Sequence, residues 1–207
     1  MLPPTPPIVD AAFVLRGSSL PLDHGYLLFA ALSRLVPALH ERAHWGVHPV
    51  FGLRTSPGVL ALNERSWLKL RLPSNELGEI MPLAGQSIQV GDHRVSLGLP
   101  QLFPLVPSAT LKARFVNVKK FHEEPGPFAD ALRRQLAAVA GLGQDPERIQ
   151  LIVGDRRVMR IASQTVVGFG VTLGELEASA SLAVQRQGLG GRRHMGGGIF
   201  VPPGKRG

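Results

Sequence analysis

The chain has 207 residues, 44% of them hydrophobic, which suits one large domain or two of about 100 residues and excludes a disordered tail. Its 23 Lys and Arg outnumber 15 Asp and Glu for a net charge of +8, and all but five of these cations (Lys69, Lys112, Lys119, Lys120 and Lys205) are arginine, whose planar fork matches phosphate oxygens and stacks on bases. Nucleic acid is therefore the first partner implied, while the absence of cysteine excludes disulfides, thiolate metal sites and cysteine nucleophiles.

The start, MLPPTPPIVD, is a proline-rich lead-in without the charged and apolar segments of a signal peptide, and no apolar run approaches the roughly 20 residues of a membrane span. A cytoplasmic protein with no membrane partner is expected. VDAAFVLRG, Val9 to Gly17, alternates as a strand. DHGYLLFAALSRLVPALHERAH, Asp23 to His44, reads as a helix with Asp23 as N-cap and an apolar stripe at Leu27, Leu28, Ala31, Leu32 and Leu35. Pro37 should kink or restart it. Strand-like runs follow at 47–55, 58–63 and 66–73, then a short helix over Glu76 to Leu83 and a hairpin over 86–98 turning at Gly91-Asp92.

LPQLFPLVPSA, Leu99 to Ala109, carries three prolines and reads as a linker. The pattern then restarts. TLKARFVNVKKF is a strand bearing Lys112, Arg114, Lys119 and Lys120, and 127–143 is a helix with proline at its start and glycine past its end. Residues 149–173 read as a long hairpin turning near Gly154-Asp155-Arg156, 174–187 as a helix, and IFVP as a last strand. Each half therefore reads βαββαβ. The expected fold is α+β, with two tandem ferredoxin-like (RRM-like) domains: 1–98 with a histidine cluster, linker 99–109, and 110–207.

GLGGRRHMGGGIFVP, Gly188 to Pro202, sits between the last helix and the last strand. Glycines let a backbone approach a ligand closely and aim several N–H groups at it, and Arg192 and Arg193 add charge, so a phosphate backbone is the expected ligand. The nucleotide-binding pattern GxxxxGK[ST] is absent, and the loop follows a helix instead of preceding one.

With this loop the chain resembles the RAMP group of CRISPR-associated RNA-binding proteins. LPLDHGYLLFAALSRLVPALHE resembles the start of the repeat-cleaving endoribonucleases, the sixth family of Cas proteins, and GFGVTLGELEASASLAVQRQGLGGRRHMGGGIF resembles the C-terminal segment of its myxobacterial-type subgroup. The resemblance implies a metal-independent, cofactor-free endoribonuclease that cuts precursor CRISPR RNA within each repeat. The 2′-hydroxyl attacks the adjacent phosphate, leaving a 2′,3′-cyclic phosphate and a 5′-hydroxyl. Repeat RNA is the implied partner, and other Cas proteins of an effector complex are further candidates.

That chemistry needs a base, an acid and donors for the phosphorane charge, and histidine serves either proton-transfer role near neutral pH. Four of the seven histidines are His24, His40, His44 and His48. His40 matches the family position at the end of the first helix. His44 and His48 are candidates for the second proton-transfer group or a phosphate donor, Ser33 for positioning the 2′-hydroxyl, and His24 for orienting the helix start. His93, His122 and His194 are expected at the surface or on RNA. The RNA-binding set is Gly190, Gly191, Arg192, Arg193 and His194 with Lys112, Arg114, Arg133, Arg134, Arg156, Arg157 and Arg160.

Three other readings compete. HERAH, His40 to His44, fits H-E-x-x-H, in which two histidines one helical turn apart bind zinc. Pro37 upstream and WGVHP downstream leave that motif barely two turns of helix. A non-catalytic RNA-binding subunit of an effector complex leaves the histidine cluster without a role. A general RNA-recognition module predicts paired aromatics on the central strands, yet aromatics are only 6% of the chain.

Overall fold

A computed structural model describes residues 6–121 and 123–204. His122 lies outside the described residues. The chain divides after Pro104 into two compact units.

In the first unit, β1 (Ile8–Arg16) leads through β2 (Ser19–Pro21) to α1 (Gly25–Ser33). β3 (Gly46–Val47), β4 (Leu53–Ser56), β5 (Val59–Ala61) and β6 (Trp67–Pro73) follow. α2 (Leu77–Ile80) then precedes the hairpin of β7 (Ser87–Val90) and β8 (His93–Pro104). The main sheet has the order β3-β6-β1-β8-β7, and β2-β5-β4 forms a small separate sheet. Stripped of β7, the order is that of a ferredoxin-like βαββαβ unit, with α1 and α2 as its two crossovers. Ala11, Phe13 and Leu15 alternate along β1 to meet Leu28 and Leu32 of α1 and Leu68, Leu70 and Leu72 of β6 in one core.

Two expectations for this unit change. The long helix to His44 stops at Ser33, because Pro37 has no N–H to continue the ladder; the chain re-enters as a 3-10 turn over Pro37–His40. Its N-cap is His24, not Asp23. The proline-rich stretch from Leu99 is strand, not linker, as far as Pro104. Pro100 and Pro104 pair with Phe13 and Val9 of β1, while the β7 pairing of β8 ends at Ser96, and an edge tolerates residues that cannot donate.

The second unit runs β9 (Leu111–Val116), α3 (Pro125–Ala137), β10 (Gln150–Ile161), β11 (Gln164–Gly174) and α4 (Ala178–Gln187). Its sheet order is β10-β11-β9. The expected last strand is reduced to one antiparallel bridge, Val201 to Lys112, which supplies the fourth ferredoxin-like position beside β9. The core joins Leu111, Phe128, Leu132, Leu136, Phe169, Val171, Leu173, Val184 and Phe200. The β10–β11 hairpin turns at Ala162-Ser163, where Ala162 has φ +51°, and not at Gly154-Asp155-Arg156. There the register slips by one residue between Val153 and Arg156, so the polar triplet marks a β-bulge.

Candidate active site and RNA-binding surface

His40 closes the 3-10 turn and is exposed. Its ring stands edge-on to Phe29 of α1, with centroids 5.0 Å apart and planes at 72°. Among the described residues its ring nitrogens have no hydrogen-bond partner, so the imidazole is fixed by packing while both nitrogens remain available for proton exchange.

The turn beyond His40 is clipped by two carboxylates. His44 Nε2 lies 2.9 Å from Glu76 Oε2, and the same oxygen accepts from Nε1 of Trp45, which is fully buried. Arg42 donates to Glu79 at 2.9 Å. Burial alone would oppose ionisation of Glu76, but the hydrogen bonds from Trp45 and His44 and the charge of Arg42 hold its carboxyl below the ordinary range. Stretch 40–44 is thus the end of a 3-10 turn followed by further turns, and not the α-helix that H-E-x-x-H needs to place two histidines on one face. Among the described residues no group of three or more His, Cys, Asp or Glu could hold a metal ion.

The other candidates in this unit are engaged within the fold. His24 is buried; its Nδ1 lies 3.0 Å from Pro21 O and its Nε2 accepts from Val50 N–H at 3.0 Å. That arrangement requires Nδ1–H donating to the carbonyl, so His24 joins the start of α1 to the chain after β3 with both ring nitrogens engaged. Ser33 is buried and donates back to Ala30 O at 3.3 Å, within its own helix. His48 is buried 3.2 Å from Asp10 Oδ1, and Asp10 receives a two-point contact from the buried Arg71 at 2.7 and 2.9 Å. Burial pushes the His48 pKa down, against the pull of Asp10, so its imidazole is neutral and donates from Nε2. His93 pairs with Ser19 Oγ at 2.8 Å.

In the second unit the glycine loop packs against α3, α4 and the end of β9 and closes its own turn. The N–H groups of Gly188, Gly190, Gly191, Gly196, Gly197 and Gly198 donate to Val184 O, Gln135 Oε1, Asn117 O, Arg193 O, Arg192 O and Phe115 O. The expectation that these donors face a ligand is corrected: the glycines serve close backbone packing. A Cβ on Gly190, at φ +77°, would lie 2.6 Å from Asn117 O. Arg193 is corrected too. Its guanidinium donates to Gln187 O at 2.7 Å and Arg186 O at 3.1 Å, capping the last carbonyls of α4. Arg192 is exposed, held in the left-handed region at φ +66°, and His194 is half-buried on the same turn.

The remaining cations do not form one cluster. Lys112 and Arg114 alternate with the core residues Leu111 and Ala113, so both lie on the face of β9 away from the helices. Arg157 lies close to that face, because a Cβ on Gly170 would sit 3.5 Å from its Nε. Arg156 stands opposite Phe169 and Arg160 opposite Thr165, on the helix side of the hairpin. On α3, Arg134 stacks over Phe121 at 5.5 Å and Arg133 lies 3.8 Å from Glu147. Phe29, Glu76, Trp45, Gln135 and Asn117, which hold these segments, escaped the sequence reading; their partners lie 11 to 74 residues away, and no local pattern marks them.

Residues 9–205 match the family described as Cas6 Crispr. A curated relative, the CRISPR-associated endonuclease Cas6 of Myxococcus xanthus (strain DK1622), is 43% identical over 197 residues, covering 95% of this chain and 82% of the relative. Among solved structures, one described as an RAMP protein binding different RNA substrates aligns with a TM-score of 0.66 at 13% identity, over 94% of this chain and 98% of that one. The product of a Cas6-related gene from Pyrococcus furiosus aligns with a TM-score of 0.66 at 14% identity, over 97% and 100%. At such low identity these two likenesses establish the fold: two ferredoxin-like units in tandem.

Proposed function

Because the chain belongs to the Cas6 family of CRISPR-associated endoribonucleases, we propose that it cuts precursor CRISPR RNA within the repeats, with His40 carrying a proton transfer and no metal taking part. The 2′-oxygen bonds to the adjacent phosphorus, the bond from phosphorus to the 5′-oxygen breaks, and a 2′,3′-cyclic phosphate and a 5′-hydroxyl result. His40 takes the 2′-hydroxyl proton. The observation that carries this reading is the exposed imidazole held edge-on to Phe29 with both nitrogens unbonded among the described residues. His24 has both ring nitrogens committed to the fold and His48 is buried with Nε2 on Asp10, which favours His40 among the four. The non-helical HERAH stretch supports the metal-free reading.

RNA is held chiefly through phosphates. Arg192 and His194 on the glycine loop, Lys112, Arg114 and Arg157 on the sheet, Arg156 and Arg160 on the hairpin, and Arg133 and Arg134 on α3 supply the charge. Incubating the protein with its own repeat RNA in EDTA tests the reading. One cut per repeat, leaving a cyclic phosphate, is expected. An uncut but tightly bound repeat would make the protein a binding subunit instead.

A further inference from the structure

The hydrogen bonds around Glu76 give the second proton transfer an owner. We propose that Glu76 is a positioning residue that orients His44 as the general acid, protonating the 5′-oxygen as it leaves; this rests on His40 being the base. A carboxylate accepts and does not donate, so the contact of His44 Nε2 with Glu76 Oε2 at 2.9 Å fixes the hydrogen on Nε2. Nδ1 is then the atom that exchanges a proton with substrate. The His44 side chain is 51% exposed, whereas that of Glu76 is 18% exposed, so the reactive ring faces solvent and its partner lies behind it.

Glu76 is itself held. Buried Trp45, the next residue after His44, donates to the same carboxylate oxygen, so backbone and ring are referred to one point. Glu79, one helical turn beyond Glu76, takes Arg42 at 2.9 Å. Two carboxylates on one face therefore clip residues 42–45, which have no helix of their own to fix them. His40 and His44 are four residues apart, which limits their Cα atoms to about 14 Å, and the intervening turns shorten that. In the reaction His40 gains the 2′-hydroxyl proton, the bond from O2′ to phosphorus forms, the bond from phosphorus to O5′ breaks, and His44, which must enter as the imidazolium with hydrogen on both nitrogens, passes the Nδ1 proton to O5′ and is left neutral with Nε2–H on Glu76. Glu76 stays ionised and keeps the ring in place, as a carboxylate behind a catalytic imidazole does elsewhere.

A repeat RNA with a bridging sulfur in place of the scissile 5′-oxygen tests this, because a thiolate leaves without a proton. On ordinary repeat RNA, Glu76→Gln, which keeps the shared acceptor oxygen for Trp45 and His44 but removes the negative charge behind the ring, should lower the single-turnover rate by a part of the roughly 10²–10⁴-fold that a general acid contributes. Its affinity for a non-cleavable 2′-deoxy repeat should be unchanged. On the sulfur-bridged RNA, Glu76→Gln and His44→Ala should both recover to near the parent rate, while His40→Ala stays slow. His44→Ala leaves the bond between Trp45 and Glu76 intact and so tests the acid without loosening the turn. Equal slowing of either variant on both substrates overturns the proposal. Rapid cleavage of ordinary RNA by His40→Ala overturns the assignment of the base, and a parent protein that cuts no repeat overturns the nuclease reading; the proposal falls with either.

Discussion

The guanidinium of Arg193 turns back onto the helix that precedes it and donates from Nη1 to Gln187 O at 2.7 Å, so one of the two adjacent arginines in the glycine loop is part of the fold. A Cβ on Gly188, at φ +67°, would come 1.9 Å from that nitrogen, so the glycine is required by the cap.

Arg192 and Arg193 should therefore separate by experiment. Arg193→Ala removes two contacts to helix carbonyls and should lower unfolding stability by about 1 kcal/mol in a urea titration, below the usual range for charged donors because the site is partly exposed. Arg192→Glu should leave the urea midpoint in place and weaken repeat RNA binding. Equal effects of the two substitutions on stability would show that the cap has been misassigned.

RNA affinity should fall steeply with salt, because phosphate contacts release counterions at a log–log slope of about −0.7 per phosphate on single strands. Arg134→Ala, Arg156→Ala and Arg160→Ala should each flatten that slope by roughly one phosphate contact. Filter binding between low and moderate salt measures it. A flat dependence in the parent protein would move the RNA away from these cations.

The half-buried Asp10, held by buried Arg71 and His48, predicts a pH dependence of stability. Burial holds the His48 pKa down in the folded chain, so the unfolded chain binds the extra proton first and stability falls as pH drops below about 6.5. Burial would raise the Asp10 carboxyl, but Arg71 and His48 hold it well below the usual range; its contribution is present above about pH 4 and is lost in acid beneath that. The thermal midpoint should therefore decline from pH 7 to pH 5, and His48→Gln should decline less. Arg71→Met leaves the half-buried Asp10 charge with only neutral His48 beside it and should cost about 3 kcal/mol, the low end for breaking a buried pair. A parent midpoint that does not move over this range contradicts the neutral His48.

The sheets were legible because strand alternation and the proline and glycine punctuation of α3 and α4 are local signals. Pro37 gave warning of the break in the first helix, but not that the chain would resume as a 3-10 turn ending on His40. Gly154-Asp155-Arg156 reads as a turn because bulges and turns favour the same residues; the pairing across β11 decides between them. The glycine loop was legible as a feature and misread as to cause, since close packing of a loop against neighbouring backbone and close approach to a ligand demand the same residue. The supports of the histidine segment were not legible at all. Glu76 lies 32 residues from His44 and 31 from Trp45, and only the fold brings them together.

The most direct test of the central claim is the single-turnover rate at which His40→Ala cleaves the protein's own repeat RNA in EDTA. A loss of roughly 10²–10⁴ in rate is expected, the usual contribution of a general acid or base. Affinity for a non-cleavable repeat should stay within about twofold, since one imidazole adds little to a phosphate-dominated interface. Cleavage by His40→Ala at the parental rate, or a parental rate that EDTA abolishes, would contradict the account.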